Sequence, residues 1–120
     1  MSKSLISKEE IAKSKLNEQI VKETALQVIK DFATFGMEIS FPEELEFAYD
    51  ILYDQLTLHI ADLMERYPEK LSALLYQIDI DEKKIRNPDV ELFKEHEWIS
   101  EMILEREFMK VLTRHYFRNH

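Results

Sequence analysis

The sequence contains no cysteine, and its 120 residues include only one glycine and three prolines. Without cysteine the chain can form no disulfide bond, use no thiolate nucleophile and build no cysteine-ligated zinc site. Folds rich in strands and loops need glycine and proline at frequent turns. Their scarcity, in a chain rich in leucine, glutamate, lysine and isoleucine, favours an all-α protein.

Long apolar runs and an excess of positive charge are also absent. No run is long enough for a signal peptide or a membrane span, so we expect a cytoplasmic protein that does not associate with membranes. The net charge is −8, and residues 41–100 carry fifteen acidic and six basic side chains. This acidic middle disfavours binding to nucleic acid or to anionic membrane surfaces.

Motifs for common cofactors are missing as well. The single glycine rules out a glycine-rich phosphate loop, and none of the four histidines follows a glutamate by three residues, as a di-iron bundle requires. We therefore predict no metal site, no cofactor and no catalytic residue.

Helix-start and helix-stop signals predict one domain, an elongated bundle of three long helices over about residues 8–35, 42–67 and 88–117. Ser7 and Glu10 form a capping box, Gly36 is a stop signal, and all three prolines fall at helix starts. Short helices are expected over about 68–79 and 81–86, and residues 1–6 as a frayed arm. Each long helix would span roughly 40–45 Å.

The last helix carries more apolar surface than one contact can bury. One stripe has heptad spacing and is predicted to pack on the helix over 42–67; it comprises Trp98, Met102, Met109, Leu112 and Tyr116. The last helix carries a second apolar stripe on another of its sides. The helix over 42–67 also carries a second apolar stripe, on the side away from the first. These form the candidate interface: Phe47, Ile51, Leu58, Leu104, Phe108 and Val111. Either the first helix or a second molecule would cover it.

A polar pair is expected within the seam. If the second and last helices run parallel and begin level, His59 lies level with Glu105, which would then be partly buried. The pair would fix the register of the two helices, or it would act as an acid–base pair in a pocket with Tyr49.

Two charged patterns lie elsewhere. Lys110, Arg114 and Arg118 form a basic stripe, which suits the negative end of a helix dipole or, alternatively, an anion or RNA contact. Asp50, Asp54 and Asp62, with the glutamates at 43–46, form an acidic face. That face is either solvated surface or a docking site for a basic partner.

Two segments, Leu74–Ile85 (LLYQIDIDEKKI) and Ile99–Lys110 (ISEMILEREFMK), carry a resemblance to another group of proteins. They resemble a pattern in small all-helical bacterial proteins of unknown function. The resemblance implies an all-helical fold and implies no activity or functional residue.

The surplus apolar surface leads us to expect a non-catalytic helical protein–protein interaction module, an adaptor or regulator that forms a homodimer. The alternatives are a small-ligand-binding protein or enzyme with a pocket near His59 and Glu105, and an acidic inhibitor or nucleic-acid mimic.

Overall fold

The computed structural model describes residues 6–85 and 94–118, and this part of the chain is all-helical and contains no strand. In chain order the elements are α1 (Lys8–Ser14), α2 (Glu18–Ala33), a single 3-10 turn (Leu45–Phe47), α3 (Ala48–Arg66), α4 (Pro68–Ile78), α5 (Glu82–Ile85) and α6 (Glu95–Arg118).

The first predicted helix is in fact two helices, so the unbroken helix over 8–35 is wrong. The capping box is present, with the Glu10 N–H donating to Ser7 Oγ at 3.1 Å. The chain turns after Ser14, and Asn17 begins α2 by accepting the Ile20 N–H at 3.1 Å. The asparagine side chain binds backbone N–H groups that would otherwise donate to helix carbonyls. It is therefore favoured at the N-cap and disfavoured inside a helix.

An irregular connector over 37–44 delays the second long helix, so its predicted start at residue 42 is also wrong. The Gln55 side chain accepts the Ser40 N–H at 2.8 Å and donates to the Ser40 carbonyl at 3.0 Å. These bonds hold the connector against α3, and Met37 and Ile39 are buried. Gly36, at φ 77°, supplies the left-handed turn that releases the chain from α2.

The short helices lie close to the predicted positions. Pro68 begins α4, and Asp79 ends it in the left-handed conformation at φ 72°. The predicted start of the last helix at Asn87 and Pro88 lies outside the described residues. The described part of α6 ends at Arg118, one residue beyond the prediction.

The core is organised around α6, whose most extensive contacts are with α3 and α2. The main apolar cluster draws on α2, α3, α4 and α6. A second, smaller cluster joins the N-terminal segment to the far part of α6, and its buried members are Ile6, Ile20, Phe108, Val111 and Leu112. Among the described helices, none combines the length and the apolar content that a membrane span requires.

The Asn17 cap generates a first prediction. Replacing Asn17 with Ala removes the acceptor for the Ile20 N–H and should lower the free energy of unfolding by about 1 kcal/mol, measured by urea denaturation. Asn17→Asp retains a capping oxygen and serves as the matched control. Equal stability of the two variants would contradict this role for Asn17.

Candidate functional site

The most unusual feature of the interior is a buried carboxyl group at the centre of α6. The Glu107 side chain is 0% exposed, and Ile103 and Val111, one turn before and after it, are buried too. Asp31 of α2 is also buried. Lys110 Nζ lies 3.4 Å from Glu107 Oε1 and 4.0 Å from Asp31 Oδ2, so one cation serves two carboxyl groups.

Side-chain amides complete this buried cluster. Gln27 Nε2 donates to Asp31 Oδ2 at 3.2 Å, and Gln77 Nε2, from α4, donates to Asp31 Oδ1 at 3.4 Å. Arg114 Nη1 donates to Gln27 Oε1 at 3.1 Å. The network therefore ties together α2, α4 and α6 by polar contacts.

The surroundings of Glu107 favour its protonated form. Burial, the hydrogen bond to Asp31 and the negative charge of Asp31 together raise the pKa of Glu107 to about 8, against the opposing effect of Lys110. Glu107 Oε2 meets no N–H or O–H donor among the described residues. A proton on Glu107 turns that oxygen into a donor toward the Asp31 carboxylate, which satisfies both groups with one charge fewer.

No sequence motif marks this cluster. Glu107 lies four residues after Ile103 and four before Val111, so it occupies a position in a buried stripe of the helix. That spacing was the available signal. Glu107 and Asp31 are buried while Gln77 and Arg114 reach the surface, so the cluster can stabilise the helix packing and can bind or release a proton.

The predicted basic stripe contacts α2 with side chains that are in part exposed: Lys110 is half-buried, and Arg114 and Arg118 are exposed. Lys110 enters the buried cluster and Arg114 binds Gln27. Arg118 is exposed and contributes to lowering the pKa of Glu23, whose larger causes include hydrogen bonds from Gln19 and His115. The stripe therefore makes internal contacts between helices, which the dipole and anion interpretations did not anticipate.

The predicted pair of His59 and Glu105 is not formed. The His59 Nε2 atom lies 3.1 Å from the Glu38 carbonyl oxygen, and its ring lies 6.2 Å from that of Phe32. Glu105 forms an ion pair with Lys15 at 3.6 Å and is 57% exposed, so its expected burial is wrong. The two residues thus bind different partners, and Glu105 lies on the exposed side of α6.

Three of the candidate interface residues lie on α6, and the protein's own chain covers two of them. Phe108 and Val111 are buried in the cluster with Ile6 and Ile20. The prediction that they belong to an interface is therefore wrong, because they are part of the core. Leu104 is half-buried against the main core. The N-terminal segment approaches this side of α6 because the turn at residues 15–17 redirects it.

The other three candidate interface residues lie on α3 and on the turn before it, and all are at least partly exposed. Leu58 is 75% exposed and Phe47 is 48% exposed, while Ile51 is half-buried.

Two open hollows flank the outward side of α6. One, of about 510 Å³, lies toward α3 and the N-terminal segment and is lined by Lys15, Tyr49, Trp98, Glu101, Met102, Leu104, Glu105 and Phe108. The other, of about 610 Å³, lies toward the link between α4 and α5 and is lined by Asp79, Ile80, Asp81, Met102, Glu105, Arg106 and Met109. Met102 and Glu105 border both hollows, so they form a ridge between them.

The ridge belongs to the heptad stripe predicted to pack on the second helix. We name Trp98, Met102, Glu105 and Met109 the outer seam. Its three apolar members are half-buried, and Trp98 Nε1 donates to the Ile85 carbonyl at 2.7 Å. Burial raises the pKa of Tyr49, beside the seam, to about 12. Within the described residues, no three metal-ligating side chains converge.

The raised pKa of Glu107 generates a second prediction. Its ordinary pKa is 4.5, so between about pH 4.5 and 8 the folded protein holds a proton that the unfolded chain releases. Stability should therefore fall as pH rises through this window, by up to about 1.4 kcal/mol per pH unit, and level off above pH 8. Glu107→Gln mimics the protonated form and should flatten this dependence, as followed by thermal melts across the window.

Glu101→Gln is the matched control, because Glu101 is exposed on the same helix. It should leave the pH dependence as in the wild type. A Glu107→Gln protein that loses stability between pH 5 and 8 as steeply as the wild type would disprove the assignment.

Comparison of the chain with protein-family models, with curated protein sequences and with solved structures gives no match.

Proposed function

We propose that the protein is a non-catalytic helical interaction module, an adaptor or regulator, that forms a homodimer through the outer seam of α6. The observation that carries this proposal is that the seam stands between two open hollows. A ridge flanked by grooves is the surface that helices use to pack on one another. Such a surface complements a second copy of itself, as a two-fold dimer requires.

Residue spacing supports pairing of α6 with α6. The seam residues follow one another at intervals of four, three and four, which are alternating a and d positions of a heptad. Trp98 at one end and Met102 and Met109 further along supply apolar contacts. Methionine adapts its shape to a partner surface more readily than branched side chains do.

The charges near the seam favour a parallel pairing. Glu105 is the one charged seam residue, and Lys15 of the same chain lies 3.6 Å from its carboxylate and partly neutralises it. Glu101 and Arg106 flank the seam on opposite sides at g and e positions, whose side chains form salt bridges between paired helices. Arg106 binds Asp79 at 2.7 Å, and its guanidinium has further donors for a second carboxylate.

The third prediction concerns the mass in solution. The wild-type protein should have twice the 14.4 kDa mass of the chain in sedimentation equilibrium, and Met102→Glu should reduce it to the monomer by placing a charge in the seam. Leu58→Glu puts the same charge on an exposed site of α3 and should leave the dimer intact. A monomeric wild type, or dissociation by Leu58→Glu alone, would contradict pairing through the seam.

A charge reversal at Glu101 and Arg106 tests the orientation of the two helices. Glu101→Lys should weaken the dimer, because exposed Glu101 loses its opposite charge in the second chain. Adding Arg106→Glu should restore part of the dimer affinity, since the pair then exists with reversed signs. Failure of the double variant to recover any affinity would rule out the parallel arrangement.

A small-ligand function is the second candidate, and one observation favours it. The hollow of about 510 Å³ contains Glu105 and Tyr49, two of the three residues of the predicted pocket, and its volume is typical of ligand sites. His59 does not line it. Ligand binding in this hollow would quench or shift Trp98 fluorescence while the mass in sedimentation equilibrium stays unchanged, whereas dimerisation would change the mass.

A further inference from the structure

A second surface lies on α3, on the side of the helix turned away from the core. The buried side of α3 carries Leu52, Leu56, Ile60 and Leu63. Phe47, Ile51 and Leu58 follow one another at intervals of four and seven on the opposite side, which we call the outer face of α3. Leu58 and Phe47 are well exposed there, so this helix remains apolar where it meets solvent.

The connector extends this apolar surface. Both backbone hydrogen bonds of Ser40 are made with the Gln55 side chain, and Gln55 Nε2 also lies 3.5 Å from the Ile51 carbonyl oxygen. Phe41, the next residue, is exposed. The exposed Phe41 therefore directly follows a residue that is bound to α3.

The charges around this face have one sign. Asp50, Asp54 and Asp62 are all exposed. The only lysine or arginine in α3 is Arg66, at its end, and it pairs with Asp62 at 3.2 Å. Within the described part of the chain, no cation lies within ion-pair distance of the Asp50 or Asp54 carboxylates.

These charges decide what kind of partner fits. Asp54 stands between Ile51 and Leu58 along the helix, so a second copy of this face would set like charges against one another. Nucleic acid would be repelled for the same reason. A helix that carries apolar residues on one side and lysine or arginine beside them would bury Leu58 and Phe47 and neutralise Asp50 and Asp54.

We infer that the outer face of α3 is a docking surface for a basic amphipathic helix of another protein. This surface is separate from the outer seam, since α6 packs against the buried side of α3. It assigns a partner chemistry that does not depend on whether the chain forms a homodimer. An interaction of this kind draws its affinity from apolar burial and its selectivity and salt dependence from charge.

The probe for the test is a fluorescein-labelled synthetic peptide of leucine and lysine in helical periodicity, added to the full-length protein and followed by fluorescence anisotropy. Two further peptides isolate the contributions: one with glutamate in place of lysine, and one with serine in place of leucine at equal positive charge. We expect the leucine–lysine peptide to bind, the other two to bind at least about tenfold more weakly, and rising salt to weaken the binding.

Variants of the protein place the binding on α3. Leu58→Ser removes an exposed apolar contact and should weaken binding about fivefold or more, as expected for an anchor residue of an interface. Asp50→Asn with Asp54→Asn should also weaken it. Glu9→Gln with Glu18→Gln makes the same change in net charge at exposed sites on α1 and α2 and should have little effect.

Three results would overturn the inference. The first is unchanged peptide affinity in Leu58→Ser. The second is an equal loss in the two double variants, which would reveal attraction to net charge alone. The third is equal binding of the leucine–glutamate peptide. Because all the substituted side chains are exposed, circular dichroism of each variant should match the wild type.

Discussion

The burial of Glu107 beside Asp31 is the constraint on which the helix arrangement depends. Two carboxyl groups in the interior, with one lysine between them, are tolerated only if one of them keeps a proton and if the remaining lone pairs find donors. Gln27 and Gln77 supply those donors to Asp31. A sliding of α6 along α2 would separate Lys110 and Glu107, both on α6, from Asp31 on α2. The network therefore specifies one register where apolar contacts alone would accept several, at a cost in stability that grows with pH.

The same arrangement decides which side of α6 stays open. The turn capped by Asn17 directs the N-terminal segment so that Ile6 and Ile20 cover Phe108 and Val111. This contact, and the position of Glu107 between α2 and α4, turn the outer seam toward solvent. The outer seam, which was expected to pack on the second helix, thus lies between the two hollows. Phe108 and Val111, which were expected to meet another molecule, are buried, and Leu104 is half-buried. The apolar residues of α6 that stay half-buried are thus mainly those of the outer seam, a different set from the predicted interface.

Local signals in the sequence predicted what depends on neighbours along the chain. The Ser7 capping box, the Pro68 start and the all-helical class each follow from a few adjacent residues. The late start of α3 depends on Gln55 binding Ser40, a contact across fifteen residues that no helical period encodes. The pairing of His59 with Glu105 is wrong because Glu105 lies on the exposed side of α6, where it pairs with Lys15. A helix that is apolar on two sides also gives no indication of which side the rest of the chain will cover, so the partners of Glu107 could not be predicted.

The two proposed surfaces, the outer seam of α6 and the outer face of α3, are separate, and this separation affects binding strength. A dimer joined through the outer seam would leave the outer face of α3 uncovered in each chain, so the assembly would present two identical acidic docking sites. A partner with one basic helix would bind each site independently. A partner that is itself dimeric, or that carries two such helices on a linker long enough to reach both sites, would gain affinity without any new contact. Dissociating the dimer with Met102→Glu would then lower the affinity for a bivalent partner and leave the affinity for a single helix unchanged. This difference distinguishes an adaptor that brings partners together from a simple binding domain.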